Sequence, residues 1–287
     1  MPAAPGAGIT RRLAALYRPI VEAIVRRQVG GPPGFVVGLC GPQGAGKTTG
    51  AAVLQGLLKA MGLRTAILSL DDLYLGRDER LALASQVHPL LATRGPPGTH
   101  ETALGLALIE GLGAPGRTCM PEFDKATDDR RPDASWPSLE GPFDVILFEG
   151  WCVGARPQAP SALVAPINAL EETEDAAGVW RTYVNRALGG DYQGLFSHID
   201  FQILLVPPSF EVVAGWRIEQ ERDLRRRRAG DPSAARLLTD AQVRRFVQFY
   251  ERITRHILIE MPDRADVLIR LDESRNATIE RLAATGD

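Results

Sequence analysis

The nine residues GPQGAGKTT, Gly41 to Thr49, follow directly after the apolar run FVVGLC, Phe35 to Cys40. Their spacing matches the phosphate-binding loop pattern, in which main-chain N–H groups wrap a polyphosphate because glycines leave no side chain in the way. A helical pattern follows from Lys47 to about Met61, and the positive end of its dipole points at the same loop. A strand, a glycine-rich loop and a helix in this order predict a nucleotide-binding α/β fold.

Within this loop we expect Lys47 to supply a mobile positive charge and Thr48 a hydroxyl for magnesium. A glycine-rich turn that binds nothing is the alternative, and the strand before the loop and the helix after it argue against that interpretation. ATP and Mg²⁺ are therefore the predicted cofactors. The predicted nucleotide-binding residues are Gly41, Gln43, Gly44, Ala45, Gly46, Lys47, Thr48 and Thr49.

The composition of the 287 residues excludes several classes of protein. With 33 basic and 35 acidic residues the net charge is -2, which argues against a general nucleic-acid binder. The three cysteines are odd in number and lack metal-ligand spacing, which argues against a disulfide framework or a zinc site. No apolar stretch has the length of a membrane span, and the first residues lack a signal-peptide pattern. We expect a soluble, cytoplasmic protein with a small-molecule substrate and no nucleic-acid or membrane partner. The sequence does not predict the oligomeric state.

Helical and strand patterns alternate along the chain. Further apolar strand patterns cover Thr65 to Leu70, Phe143 to Phe148, Phe201 to Val206 and Ala265 to Leu271. Helical patterns cover Thr10 to Val29, Glu101 to Glu110, Ser209 to Arg228 and Thr239 to Glu260. Strands separated by helices predict a P-loop NTPase-type, mostly parallel sheet with helices on both faces and a helical lid. We divide the chain into an N-terminal tail and helix packed on the core, 1–34, and a single kinase domain, 35–287, with acceptor-binding insertions at about 71–137 and the lid at about 215–240.

Acidic residues follow two of the predicted strands. Asp71 and Asp72 come after the second strand, and Glu149 follows the third. Because ligands bind beyond the carboxyl ends of parallel strands, these acids should meet the loop in one crevice. Phosphoryl transfer needs a magnesium site and a carboxylate that deprotonates the acceptor. We assign the metal to Thr48, Asp71 and Glu149. We assign the catalytic base to Asp71, with Asp72 capping the following turn; the reverse assignment of these two adjacent acids is the alternative. The alternative role for Glu149 is a helix N-cap, for which glutamate is poorly suited.

The basic end of the Ser209 helix has two explanations. Arg226 to Arg228 could be a solvated helix C-terminus, favoured by the dipole, or part of a lid that closes over the ATP phosphates. Arg217, deeper in the helix, is the better candidate for a phosphate contact. His100 lies in a glycine-rich segment near Arg94 that could close over an acceptor. Only three lysines occur, Lys47, Lys59 and Lys125.

Six more stretches narrow the interpretation: SLDDLYL (69–75), RGPPGTHE (94–101), PEFDKATDDR (121–130), FEGW (148–151), WRIEQERDLR (216–225) and RITRHILIEMPDRADVLIRLD (252–272). With the loop they resemble the plant- and yeast-type D-glycerate 3-kinases, within the wider phosphoribulokinase, uridine kinase and pantothenate kinase group. The resemblance covers nearly the whole chain after about residue 35. It implies transfer of the ATP γ-phosphate to the 3-hydroxyl of D-glycerate. It also implies that Asp71 is the base, that Glu149 is a magnesium-associated acid, and that residues 121–130 form an acceptor-binding loop.

A carboxylate substrate needs a fixed cation, ideally a bidentate arginine. The candidates are Arg94, His100, Lys125 and Arg130, beside Asp72 and Tyr74 as further substrate contacts; the alternative role for Arg130 is a salt bridge with Asp128 or Asp129. The chain departs from the family pattern at Leu73, at Glu101 and in the glycine-free run ATDDRR. These changes border the acceptor pocket. They leave another small hydroxylated acceptor as the first alternative, and an NTPase switch, for which no Asn-Lys-x-Asp motif is present, as the second.

Overall fold

The computed structural model describes residues 7–227 and 238–283. Its strands are β1 Phe35–Cys40, β2 Thr65–Ser69, β3 Gly116–Cys119, β4 Phe123–Asp124, β5 Asp129–Arg130, β6 Ser138–Gly141, β7 Val145–Gly150, β8 Ile199–Val206, β9 Val267–Leu271 and β10 Ala277–Leu282. Its helices are α1 Ala7–Gln28, α2 Lys47–Ala60, α3 Arg77–Gln86, α4 Thr102–Gly113, α5 Ala169–Glu174, α6 Val179–Gly189, α7 Asp191–Phe196, α8 Phe210–Arg227 and α9 Asp240–Glu260.

Six strands form the central sheet in the order β10-β9-β8-β1-β7-β2. The first five of these in chain order, β1, β2, β7, β8 and β9, run parallel, and β10 pairs antiparallel with β9 at the edge. The phosphate-loop strand β1 therefore lies in the middle, between β8 and β7. This arrangement confirms the prediction of a mostly parallel sheet.

Both faces of the sheet are covered, which explains why β7 is buried at all of its residues. On one face, alternate residues such as Val37 and Leu147 pack against α1, α2 and Trp216 of α8. On the other face, Val36 and Ile146 pack against α4, α6, α7 and α9. Successive side chains on a strand point to opposite faces, so a single apolar run serves two cores.

The predicted strands and long helices are present, with ends shifted by up to three residues. The strand predicted to stop at Phe148 continues through Gly150, so Glu149 is itself paired with Leu39 and Ser69 in the sheet. The sequence patterns did not predict β10, α3 or the helices α5 to α7. In β10 the alternation of apolar and polar residues is weak, and α5 and α7 are too short to show a clear helical period.

The long connection from β2 to β7 is built from small elements. It contains α3, α4, a two-stranded antiparallel sheet of β3 and β6, and a short antiparallel hairpin of β4 and β5. The segment 121–130, which the resemblance gives as an acceptor-binding loop, thus carries a short hairpin, Phe123–Asp124 with Asp129–Arg130. The predicted lid spans the end of α8 and the start of α9, and its residues 228–237, Arg228 included, lie outside the described part. None of the helices in the described ranges is both long and apolar enough to cross a bilayer.

Candidate active site

The glycine-rich loop joins the end of β1 to the start of α2 and is closely packed on both sides. Gly44 and Gly46 have positive φ values of 78° and 87°, where residues with a side chain are strained. A Cβ on Gly41 would lie 2.8 Å from the Leu205 Cβ, and one on Gly44 would lie 2.9 Å from the Trp216 Cβ. Lys47 Nζ donates to the Pro42 carbonyl at 3.0 Å, which folds the ammonium across the loop. All eight predicted nucleotide-binding residues lie on this loop or on the first turn of α2.

Glu149 connects the loop to the neighbouring strand. Its Oε1 accepts hydrogen bonds from Thr48 Oγ1 at 3.0 Å and from Ser69 Oγ at 3.3 Å. The side chain is 5% exposed. Burial raises the pKa of Glu149, while the Lys47 ammonium and the two hydroxyl donors act in the opposite direction. The structure therefore brings oxygen atoms from three strand ends into one cluster.

Asp71 lies on the single 3-10 turn, Leu70–Asp72, that follows β2. Its Oδ1 accepts from the Tyr74 hydroxyl at 2.7 Å, and its Oδ2 pairs with Lys125 Nζ at 2.5 Å. Burial alone would raise the pKa of Asp71, but the charge and hydrogen bond of Lys125, with the Tyr74 hydroxyl and Lys47, lower it well below its usual range. Both carboxylate oxygens thus have a partner in this structure.

Asp72 contacts the hairpin formed by β4 and β5. Its Oδ1 accepts from the main-chain N–H of Phe123 at 3.1 Å. We expected Asp72 to cap the turn that follows it, and this was wrong because the carboxylate reaches across to β4 instead. Burial raises the pKa of Asp72 to about 6, the Phe123 N–H opposes this shift, and the charge of Asp71 adds to it.

The segment Arg94 to His100 is fixed by three aromatic side chains. Tyr250 OH donates to the Arg94 carbonyl at 3.1 Å, and Trp151 Nε1 donates to the Gly95 carbonyl at 3.0 Å. The Gly98 N–H donates to Tyr192 OH at 3.0 Å. Sequence reasoning gave these aromatic residues no role, because each looks like an ordinary core residue. The contacts make the segment a rigid platform beside Tyr74, with which His100 forms an isolated antiparallel bridge.

His100 contacts this platform through one ring nitrogen. Its Nδ1 lies 2.5 Å from Tyr192 OH. Burial lowers the pKa of His100 to about 3, so the ring is neutral at neutral pH. The His100 Nε2 is buried and has no hydrogen-bond partner among the described residues.

The other predicted substrate cations also have partners. The Arg94 guanidinium pairs with Asp128, which Arg80 contacts as well. Arg130 pairs with Glu101 at 2.6 Å and also donates to the Tyr74 carbonyl at 2.9 Å. The alternative pairing of the Arg130 side chain with Asp128 or Asp129 was wrong, because β5 directs the side chain toward α4.

The basic helix α8 passes close to the loop. Trp216 packs against Gly44, and the next residue, Arg217, forms an ion pair with buried Glu221 at 2.7 Å. Nearer the helix end, Arg222 pairs with Asp240 at the start of α9, and Arg226 pairs with Asp223. The contacts of Arg222 and Arg226 favour the solvated-terminus explanation for that end, whereas Arg217 lies next to the loop.

The chain resembles known kinases in sequence and structure. It is 28% identical over 258 residues to the chloroplastic D-glycerate 3-kinase of Arabidopsis thaliana. The match covers 85% of this chain and 54% of the relative. It thus spans about half the length of that protein. It is 30% identical over 226 residues to the uncharacterized kinase mug58 of Schizosaccharomyces pombe, with 75% and 78% covered.

A solved structure extends the likeness. The D-glycerate 3-kinase of Cryptococcus neoformans var. grubii superposes with a TM-score of 0.73 and 26% identity over 96% of this chain and 99% of that one. No family model matches the chain. The match to mug58 covers about three quarters of each chain. This coverage and the shared fold agree with the phosphate loop and the strand-end acids described above. This chain belongs to the family of P-loop kinases that includes mug58 and the D-glycerate 3-kinases.

Proposed function

We propose that this protein transfers the γ-phosphoryl group of ATP to the 3-hydroxyl of D-glycerate, giving 3-phosphoglycerate and ADP. The observation that carries the proposal is the contact of Glu149 with both Thr48 and Ser69, because it joins the phosphate loop to the turn that bears Asp71. The names of the A. thaliana and C. neoformans relatives support D-glycerate as the acceptor. The acidic acceptor also agrees with three cations in the insertion, Arg94, Lys125 and Arg130.

The residues around Glu149 fit a magnesium ion. A hydroxyl and a carboxylate are hard oxygen donors, and Mg²⁺ is commonly held by one or two carboxylates together with substrate phosphates. Among the residues the structure describes, no group of three or more His, Cys, Asp or Glu side chains could hold a metal alone. Thr48 and Glu149, with Asp71 nearby, would hold the ion. When bound, the ion would neutralise charge on the β- and γ-phosphates.

The remaining steps belong to the side chains. Main-chain N–H groups from Gly41 to Thr49 and the Lys47 ammonium bind the phosphates. Asp71 accepts the proton of the acceptor hydroxyl. The oxygen of that hydroxyl bonds to the γ-phosphorus, and the bond from the γ-phosphorus to the ADP oxygen breaks. Arg217 contacts the phosphates from α8. Closure of the region 215–240 would exclude water and so protect ATP from hydrolysis.

The acceptor site lies between the Asp71 turn and the β4–β5 hairpin. Tyr74 orients Asp71, Asp72 holds the hairpin that carries Lys125, and the His100 ring stacks beside Tyr74. Arg94 and Arg130, which pair with Asp128 and Glu101, line this site. The domain division follows, with residues 35–287 as the kinase domain, 71–137 as the acceptor-binding part, and 1–34 as a segment packed on the core.

The test measures ADP formation with ATP and Mg²⁺ in the presence of D-glycerate, L-glycerate, glycolate or no acceptor. D-glycerate should accelerate ADP formation far above the other conditions. Phosphorus NMR of the product identifies the position, since a phosphate on the CH₂ group of C3 is split by two protons and one on C2 by a single proton. ADP formation that is indifferent to D-glycerate, or a C2 phosphate, would contradict the proposal.

A further inference from the structure

Lys125 is paired with Asp71, the residue that the proposed reaction needs as its base. The Lys125 ammonium lies 2.5 Å from Asp71 Oδ2, and the Tyr74 hydroxyl takes Oδ1. An acceptor hydroxyl that approaches Asp71 therefore meets a cation at the same point. The side chain of Lys125 is 57% exposed and that of Asp71 is 36% exposed, so a small molecule can reach the pair from solvent.

The backbone on either side of Lys125 is held in place. Asp72 fixes Phe123 through its N–H at 3.1 Å, and Arg80 donates to the Asp128 carbonyl at 2.7 Å. Asp129 Oδ1 accepts from the Arg77 N–H at 3.0 Å, which ties the hairpin to α3. The long, flexible lysine stem can thus change partner while the loop stays where it is.

The two arginines predicted to contact the substrate are committed to partners outside the reacting centre. Arg130 bridges Glu101 and the Tyr74 carbonyl, and Arg94 pairs with Asp128. Moving the Arg130 guanidinium to a ligand would break its pair with Glu101, and moving that of Arg94 would leave Asp128 with Arg80 alone. Lys125 differs, because its partner Asp71 gains the acceptor hydroxyl as a new hydrogen-bond donor when the lysine leaves.

We propose that Lys125 is the specificity residue for acidic acceptors: the substrate carboxylate takes its ammonium from Asp71 and so frees Asp71 Oδ2 for the substrate hydroxyl. In D-glycerate a single carbon separates the carboxylate from the carbon that bears the 3-hydroxyl. One molecule can therefore offer its carboxylate to Lys125 and its hydroxyl to Asp71 at the same time. Neutral alcohols and water lack the anion that releases the lysine. This inference rests on the proposed function and names the residue that selects the acceptor.

The test compares D-glycerate with its methyl ester, which keeps both hydroxyls but carries no charge. Dissociation constants are measured by calorimetry in the presence of Mg²⁺ and a non-hydrolysable ATP analogue. The proteins are wild type, Lys125→Met, and the matched control Lys59→Met, which changes an exposed lysine on α2. Wild type and Lys59→Met should bind the acid about 10- to 100-fold more tightly than the ester, as expected for a charge-assisted contact. Lys125→Met should bind the two ligands with nearly equal affinity.

Two results would overturn the inference. One is a Lys125→Met protein with the same acid preference as wild type. The other is loss of that preference in Arg94→Met or Arg130→Met while Lys125→Met retains it. Wild-type protein that neither binds nor phosphorylates D-glycerate would instead remove the proposed function itself, and the inference with it. The wild-type measurement thus separates the two failures.

Discussion

Thr48 and Glu149 are 101 residues apart in the chain, yet the Thr48 hydroxyl donates to Glu149 Oε1 at 3.0 Å. The contact exists because β1 and β7 are parallel neighbours, with Leu39 opposite Glu149. The loop that follows β1 and the acid near the end of β7 therefore emerge at the same edge of the sheet. These two residues are brought together by their positions in a parallel sheet and not by a local sequence feature.

Replacement of Glu149 by glutamine keeps the shape of the side chain and removes its charge. We expect Glu149→Gln to fold normally and to lower kcat about 100-fold, because an ionised oxygen ligand close to the transferred phosphoryl group is lost. The apparent affinity for Mg²⁺ should fall as well. Steady-state kinetics at varied Mg²⁺ checks both effects. Glu110→Gln, on the exposed side of α4, is the control, and a kcat for Glu149→Gln equal to that of the control would contradict the assignment.

Gly95 lies at a position where the neighbouring Tyr250 leaves no space for a side chain. Its φ is 118°, and a Cβ there would lie 2.0 Å from the Tyr250 hydroxyl oxygen. We expect Gly95→Ala to lower the free energy of unfolding by about 3 kcal/mol, from overpacking and backbone strain together. The acceptor KM should rise while the ATP KM stays constant, because the segment that carries His100 is displaced. Urea denaturation and steady-state kinetics measure the two effects.

The matched control for this change is Gly56→Ala in α2. Nothing lies within 4 Å of a Cβ at Gly56, and alanine favours a helix interior over glycine. The variant should gain about 0.5 to 1 kcal/mol. If both alanine variants had the same stability, the close contact of Gly95 with Tyr250 would be incorrect.

Buried His100 makes the stability of the protein depend on pH. Its folded pKa of about 3 lies below the usual value of 6.5, so between these values the unfolded chain binds a proton that the folded chain excludes. The contribution of His100 is therefore fully present above pH 6.5 and is lost as the pH falls toward 3, by about 1.4 kcal/mol per pH unit at most. Denaturation at a series of pH values should show a shallower loss of stability for His100→Asn than for wild type.

The control for the pH effect is His198→Asn, which changes an exposed histidine in the turn before β8. This variant should follow the wild-type slope. Equal slopes for wild type and His100→Asn between pH 6.5 and pH 4 would show that His100 titrates alike in the folded and unfolded chains. Comparison of slopes is preferred because the smaller asparagine also changes the absolute stability.

The phosphate loop and the strand-end acids could be predicted because their signals are local. A glycine pattern after an apolar run marks the loop, and parallel strands place the residues that follow them on one edge. The roles of Trp151, Tyr192 and Tyr250 could not be predicted, because they arise when the turn after β7, α7 and α9 pack against the segment 94–100. An aromatic residue in a helical pattern looks the same whether it fills a core or fixes a loop. Partner choice among charges, such as Arg130 with Glu101, likewise depends on the final position of each loop.

The stretch that begins RITRH illustrates the same limit. This stretch is part of the resemblance to the D-glycerate 3-kinases, and its first residue, Arg252, has a structural role. Arg252 forms a bidentate pair with buried Glu171, with Nε–Oε1 2.7 Å and Nη2–Oε2 2.6 Å. It also donates to the carbonyls of Ala162 and Ala165 at 2.7 Å. One arginine of α9 thus holds the irregular chain that leads into α5. Resemblance at such a position reports the fold and carries no information about the acceptor.

This buried pair offers a test of its own, because a second pair joins the same two helices on the surface. Arg252→Met leaves the Glu171 charge buried and unpaired, and should cost about 3 to 5 kcal/mol of stability. Adding Glu171→Leu removes the stranded charge and should recover part of that loss. Arg245→Met breaks the exposed pair between α9 and Glu174 of α5, and should change stability by less than about 1 kcal/mol. Thermal and urea denaturation measure all three proteins. If Arg252→Met and Arg245→Met lost the same stability, burial would not distinguish the two pairs, and the anchoring of the chain before α5 would have to come from its apolar contacts.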